Sequence, residues 1–191
     1  MPRIPYPDES SLPEPARAAL ERMVAPLNLI RMCAHATTLV RPLIKLSTAL
    51  LSRLHLSARH RELLILRTAR NTRCDYILAQ HEVIAREIGM SEEEIEAACR
   101  ADPGFRGAAE RELLGVADEL VERTTLGPER VASLLSSFDR AQLVELFLLV
   151  GHYRMLAGLL NGLAVDIDPR GEKFAELANH RPDSTKQQES G

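Results

Sequence analysis

Apolar residues return at helical spacing through most of the chain. In "AERELLGVADELVER", Leu113, Leu114, Ala117, Leu120 and Val121 share one face of an amphipathic helix predicted over about 107–125. In "CDYILAQHEVIAREI" the apolar positions are Ile77, Leu78, Ile84, Ala85 and Ile88. The slot that this stripe leaves open, four after Ile77 and three before Ile84, is filled by His81. The run "LVELFLLVGHYRMLAGLLNGLAV" has about the length of a membrane span. It carries Glu145, His152, Arg154 and Asn161, each expensive in hydrocarbon, so it is expected to be a buried helix over about 140–165. No segment alternates with period two over strand length, and the expected fold class is all-α.

Capping signals divide the pattern into elements. Ser57 precedes a helix over about 58–70, and Thr72 with Asp75 resembles a capping box that opens a second helix near 73, stopped by Gly89. These two form a hairpin. Ser91 and Glu94 open a third helix, which Pro103-Gly104 ends. Gly127-Pro128 closes the fourth, a short helix is expected around 129–137, and Asp139 caps the long apolar one. Helical stretches near 16–24 and 36–54 are interrupted by Pro26 and Pro42. Five of the 11 prolines fall within the first fifteen residues, which predicts an extended arm over 1–15. The helical domain is expected to span 16–178. The polar segment 179–191 has nothing to bury and is expected to be disordered.

At 191 residues the chain fits one domain that buries roughly two-thirds of its unfolded surface. Net charge is −3, with no lysine cluster and no tryptophan, so nucleic acid is not an expected partner. Cys33, Cys74 and Cys99 are odd in number and widely spaced, which fits a reducing cytoplasm better than a disulfide framework. The N-terminus lacks a basic start followed by an apolar run, so neither export nor a membrane partner is expected.

Candidate chemistry gathers around the hairpin. Cys74, Ile77 and His81 fall on one side of the second helix, with Cys74 in the first turn, where the dipole favours a thiolate. Such a cysteine is otherwise inert filling. Glu62 shares a face with Ile65, Leu66 and Ala69. It is either a half-buried acid or base, or the partner of Arg59 in an ion pair. Arg67, Arg70 and Arg73, spaced by three, suit a substrate carboxylate or a solvated or subunit surface. His152 and Tyr153 either line a pocket or satisfy each other. The expected substrate-binding set is Arg67, Arg70, Tyr76 and His152. The six histidines form no metal-ligand spacing, and there is no glycine-rich phosphate loop, so no metal or cofactor is expected.

Together, "RELLILRTARNTRCDYILAQHEVIAREIGMSEEEIEA" resembles the core signature of the carboxymuconolactone decarboxylase-like family, which includes the AhpD-type alkyl hydroperoxidases. The resemblance covers roughly residues 55–100, and "QLVELFLLVGHYRMLAGLLNGLAVDIDP" looks like the family's closing helix. It implies an all-α fold that assembles into homo-oligomers, commonly trimers or hexamers. The redox branch is marked by E-x11-C-x2-C-x3-H. Glu62, Cys74 and His81 match that register without gaps, while Ile77 stands at the second cysteine position.

With the dithiol broken, the expected function is acid–base chemistry by Glu62 and His81 on a small carboxylated or lactone-like substrate, by decarboxylation or isomerisation. The alternatives are a one-cysteine thiol peroxidase acting through Cys74 and an oligomeric binding module whose site has decayed.

Overall fold

The computed structural model describes residues 1–23, 26–100 and 107–168. Among them the chain folds into helices without strands: α1 (Glu14–Glu21), α2 (Asn28–Cys33), α3 (Val40–Ser52), α4 (Ala58–Asn71), α5 (Asp75–Glu87), α6 (Glu92–Cys99), α7 (Ala108–Arg123), α8 (Pro128–Leu134) and α9 (Arg140–Leu163). Segment 179–191, the end of the expected domain and the Pro103-Gly104 stop lie outside the described residues.

Helix α4 is the axis. Every residue from Arg61 to Ala69 is buried, because α5, α6, α7 and α9 pack around it. Leu64, Ile65 and Ala69 join the larger core with α1, α2, α3 and α9, while Leu63 and Leu66 enter a second cluster with Met90, Ile95 and Leu114. Each fully buried leucine contributes about 1.5–3 kcal/mol. The polar residues inside are matched: Thr68 donates to the Leu64 carbonyl at 2.7 Å, and Arg67 Nη2 donates to Asp118 Oδ2 at 2.8 Å.

The expected caps form at Ser57, whose hydroxyl accepts from the His60 amide, and at Ser91 and Asp139, each in a full capping box. The expected capping box at Thr72 does not form. Its hydroxyl donates back to the Thr68 carbonyl at 2.8 Å, so Thr72 closes α4 rather than opening α5. The chain then reverses through Arg73 at φ 51°, with Arg73 N–H donating to Arg70 O and Cys74 N–H to Ala69 O. This paired closure is a Schellman motif, and it tucks Cys74 beneath the last turn of α4. The same pair of bonds ends α5 at Gly89 and α9 at Ala164.

The N-terminal arm is shorter than expected. Residues before Glu9 run against the end of α9, where Arg3 N–H donates to the Leu163 carbonyl at 2.8 Å. A 3-10 turn follows at Glu9–Ser11, and α1 begins at Glu14 with Pro13 as its cap. Pro15 lies in the first turn, where no helical hydrogen bond is lost. Pro42 likewise occupies the first turn of α3, so it starts that helix instead of breaking it. The proline count therefore exaggerated the extended region.

Among the described residues α9 alone has the length and apolarity of a membrane span. One face, with Leu146, Leu149, Tyr153, Leu156 and Leu160, is buried in the core. The other exposes Val144, Leu148 and Met155 beside Gly151 and Gly158.

Candidate active site

The α4–α5 hairpin carries two polar side chains into the protein interior. Glu62 Oε2 lies 2.7 Å from His81 Nδ1, and the two residues are 0% and 2% exposed. The other carboxylate oxygen accepts from Arg61 Nε at 2.7 Å, and that guanidinium also donates to the Leu51 carbonyl. The expected Arg59 partner is elsewhere: Arg59 bonds Glu94 and Glu110, each at 2.6 Å. Arg59 lies in the first turn of α4, on the side facing α6 and α7, so it cannot serve Glu62.

Burial pushes the Glu62 carboxyl up, but the adjacent His81 and Arg61 outweigh it and hold the group below the usual carboxylate range. A carboxylate at this distance keeps a proton on His81 Nδ1, fixes the ring's orientation and stabilises an imidazolium.

His81 opens onto a cavity of about 140 Å³. From α5, Tyr76, Ile77, Gln80 and His81 line it, and Tyr153 and Leu156 come from α9. Leu29, Ile30, Ile44 and Ser47 supply an apolar wall from α2 and α3. Cavities near 150 Å³ accept a single benzene-sized ring. Tyr153 stands edge-on to His81, ring centres 4.9 Å apart. Burial and the nearby Glu62 charge raise its phenol far above the ordinary range, so Tyr153 stays protonated.

The other expected residues separate from this pair to different degrees. Cys74 is fully buried without lining the cavity. Burial raises its thiol above the ordinary range despite hydrogen bonds from the Ile77 and Tyr76 amides, which disfavours the thiolate. Arg67 is consumed by Asp118 and by the Arg100 carbonyl at the end of α6. Arg70 is exposed and opens, with Arg86 and Arg100, onto a separate cleft of about 780 Å³ that neither Glu62 nor His81 lines. No arginine or lysine is among the described residues of the His81 cavity, so the expected carboxylate clamp is not assembled there.

Tyr76 contributes its ring to the cavity wall, while its hydroxyl accepts from the Leu29 amide at 3.2 Å and donates to Asp168. His152 sits behind the wall, with Nε2 3.0 Å from the Ser47 hydroxyl. Burial lowers it to about 4, so it is neutral at pH 7. Sequence reasoning missed Arg61, Gln80 and the walls from α2 and α3. Gln80 had a signal, since it follows Tyr76 by four on the buried face of α5. The walls had none, because α2 and α3 are distant in sequence.

Residues 38–119 match the sequence pattern of the carboxymuconolactone decarboxylase family. No curated protein matches the chain. Among solved structures, the fold is similar to that of an alkylhydroperoxidase AhpD core, a peroxidase-related protein from Ralstonia eutropha, with TM-score 0.75, 16% identity and coverage of 93% of this chain and 96% of that one. A putative antioxidant defence protein AhpD from Agrobacterium tumefaciens gives TM-score 0.64 at 21% identity, over 72% of this chain and 96% of its own. The debrominase Bmp8, in complex with 2,3,4-tribromopyrrole, gives TM-score 0.69 at 16% identity, over 90% and 95%. At these identities the likeness establishes the fold.

Proposed function

Starting from a chain that belongs to the carboxymuconolactone decarboxylase-like family, its pattern carried by residues 38–119, we propose that it is an enzyme moving a proton within a small, neutral, lactone-like ring. The observation that carries this reading is the buried Glu62–His81 pair at the edge of a ring-sized apolar cavity. His81 takes a proton from a carbon next to a carbonyl, and the electron pair of that C–H bond moves into the carbonyl. Glu62 stabilises the imidazolium, which returns the proton at the far carbon of a ring C=C adjoining the deprotonated carbon, so that the double bond shifts and the ring is isomerised. Tyr153, held protonated, is the lining hydroxyl suited to the oxygen that gains charge. The lack of a cationic side chain in the described lining favours the lactone over the carboxylate of the two expected substrate types. A screen of small lactones and β-keto acids tests this: turnover of a lactone must be lost in both His81→Gln and Glu62→Gln.

A one-cysteine thiol peroxidase is the second reading, favoured by the peroxidase-related names of the structural neighbours. The burial of Cys74 and its raised thiol weigh against it. Hydroperoxide consumption that vanishes in Cys74→Ser would establish it over the first.

Self-assembly completes the proposal. Val144, Leu148, Gly151, Met155, Gly158 and Gly162 follow the alternating four-and-three spacing of a helix-pairing seam along α9. All six are exposed, and nothing lies within 4 Å of where a Cβ would stand on the three glycines. The occupant that fits this self-similar face is α9 of a second copy.

A further inference from the structure

Gln80 immediately precedes His81, lines the same cavity and is 3% exposed. Its side-chain carbonyl oxygen is sealed from solvent and has no hydrogen-bond partner among the described residues. A buried amide carbonyl left in this state destabilises the fold. Both Glu62 oxygens accept, and the Tyr76 hydroxyl both donates and accepts, so neither serves this oxygen. Ile77, Leu29, Ile30 and Leu156 offer this oxygen no donor, since their side chains in the wall are hydrocarbon. The Ser47 hydroxyl is already engaged by His152.

We infer that Gln80 is a ligand-binding residue whose carbonyl accepts a hydrogen bond from the occupant of this cavity, so the natural ligand is a small ring bearing an N–H or O–H donor. The cavity holds about one ring, so a ligand tethered at Gln80 presents a neighbouring ring atom to His81, the next residue on α5. The inference rests on reading this cavity as the substrate site and adds the donor that the substrate must carry.

The test compares pyrrole with furan, rings of one size that differ in carrying an N–H donor or an oxygen acceptor. Titrations followed by NMR give the ratio of their affinities in the wild type and in Gln80→Met, which keeps side-chain length and removes the amide. The ratio is expected to shift toward furan by about tenfold or more in Gln80→Met. A shift under about threefold overturns the inference, as does a wild type that binds neither ring saturably.

Gln80→Met is also expected to melt at the same temperature or higher, because a stranded acceptor has been removed. A fall of more than about 5 °C would mark the amide as a structural group and overturn the inference. Should the variant not fold, the side-chain amide resonances of wild-type Gln80 decide: they must move with pyrrole and stay with furan, and the reverse overturns it. His81→Gln is expected to keep the wild-type affinity ratio. Loss of the proposed turnover therefore leaves this inference standing, and an unmoved ratio defeats it even where Glu62 and His81 prove catalytic.

Discussion

Glu62 Oε2 and His81 Nδ1 meet at 2.7 Å across the α4–α5 hairpin, nineteen residues apart in sequence and both closed to solvent. The hairpin's Schellman closure fixes the approach, because it reverses the chain within two residues and sets α5 against α4. A buried carboxylate–imidazole pair is therefore built into the packing of α5 against α4.

Removing either partner should act on both chemistry and stability. His81→Gln and Glu62→Gln are each expected to lower turnover of an identified lactone by about 10²–10⁴. Glu62→Ala strands Arg61 inside the core and should destabilise the fold by about 3–5 kcal/mol, measured by chemical denaturation. Full turnover in both glutamine variants would refute the assignment.

Cys74→Ser should leave lactone turnover within about twofold, since the buried thiol does not line the cavity. Native protein should react slowly with iodoacetamide at pH 7 because burial keeps the thiol protonated. Rapid labelling at Cys74 would contradict the geometry.

Ile77→Cys places a thiol in the cavity wall at the position where the redox branch of the family carries its second cysteine. The variant is expected to gain dithiol-dependent hydroperoxide consumption over the wild type. A variant that folds normally and shows no gain would mean that Glu62 and His81 here no longer support thiol chemistry.

Stability should fall toward acid. His152 is lowered by burial from 6.5 to about 4, so between those values the unfolded chain binds the proton more readily than the fold. Its contribution is fully present above about pH 6.5 and is lost as pH falls through about 4, amounting to roughly 3 kcal/mol at most. Glu62, also lowered, acts with the same sign from its ordinary value of 4.5 downward. Denaturation midpoints measured from pH 7.5 to 4 should show the upper part of this decline, and His152→Gln should flatten it.

The exposed seam on α9 predicts more than one chain per particle by light scattering. Leu148→Glu and Met155→Glu together should shift the mass to a single chain without loss of helicity, since both side chains are more than half exposed. An unchanged mass would place any contact elsewhere.

The sequence by itself determined the helical class, the α4–α5 hairpin, the caps at Ser57, Ser91 and Asp139, and the inward position of His81. These depend on local hydrogen bonding and on the 3.6-residue period, which short stretches encode fully. Glu62 was legible as a residue on the apolar seam, either an inward acid or base or the partner of Arg59, and the family resemblance grouped it with His81. Tertiary structure set it against His81 and added Arg61, while Arg59 went to Glu94 and Glu110. It also sent Arg67 to Asp118 and Arg70 to another cleft, and left the side-chain oxygen of cavity-lining Gln80 without a partner among the described residues. The local pattern states which side chains turn inward. Which of them meet depends on how α2, α3, α7 and α9 close around α4, and that follows from packing between segments far apart along the chain.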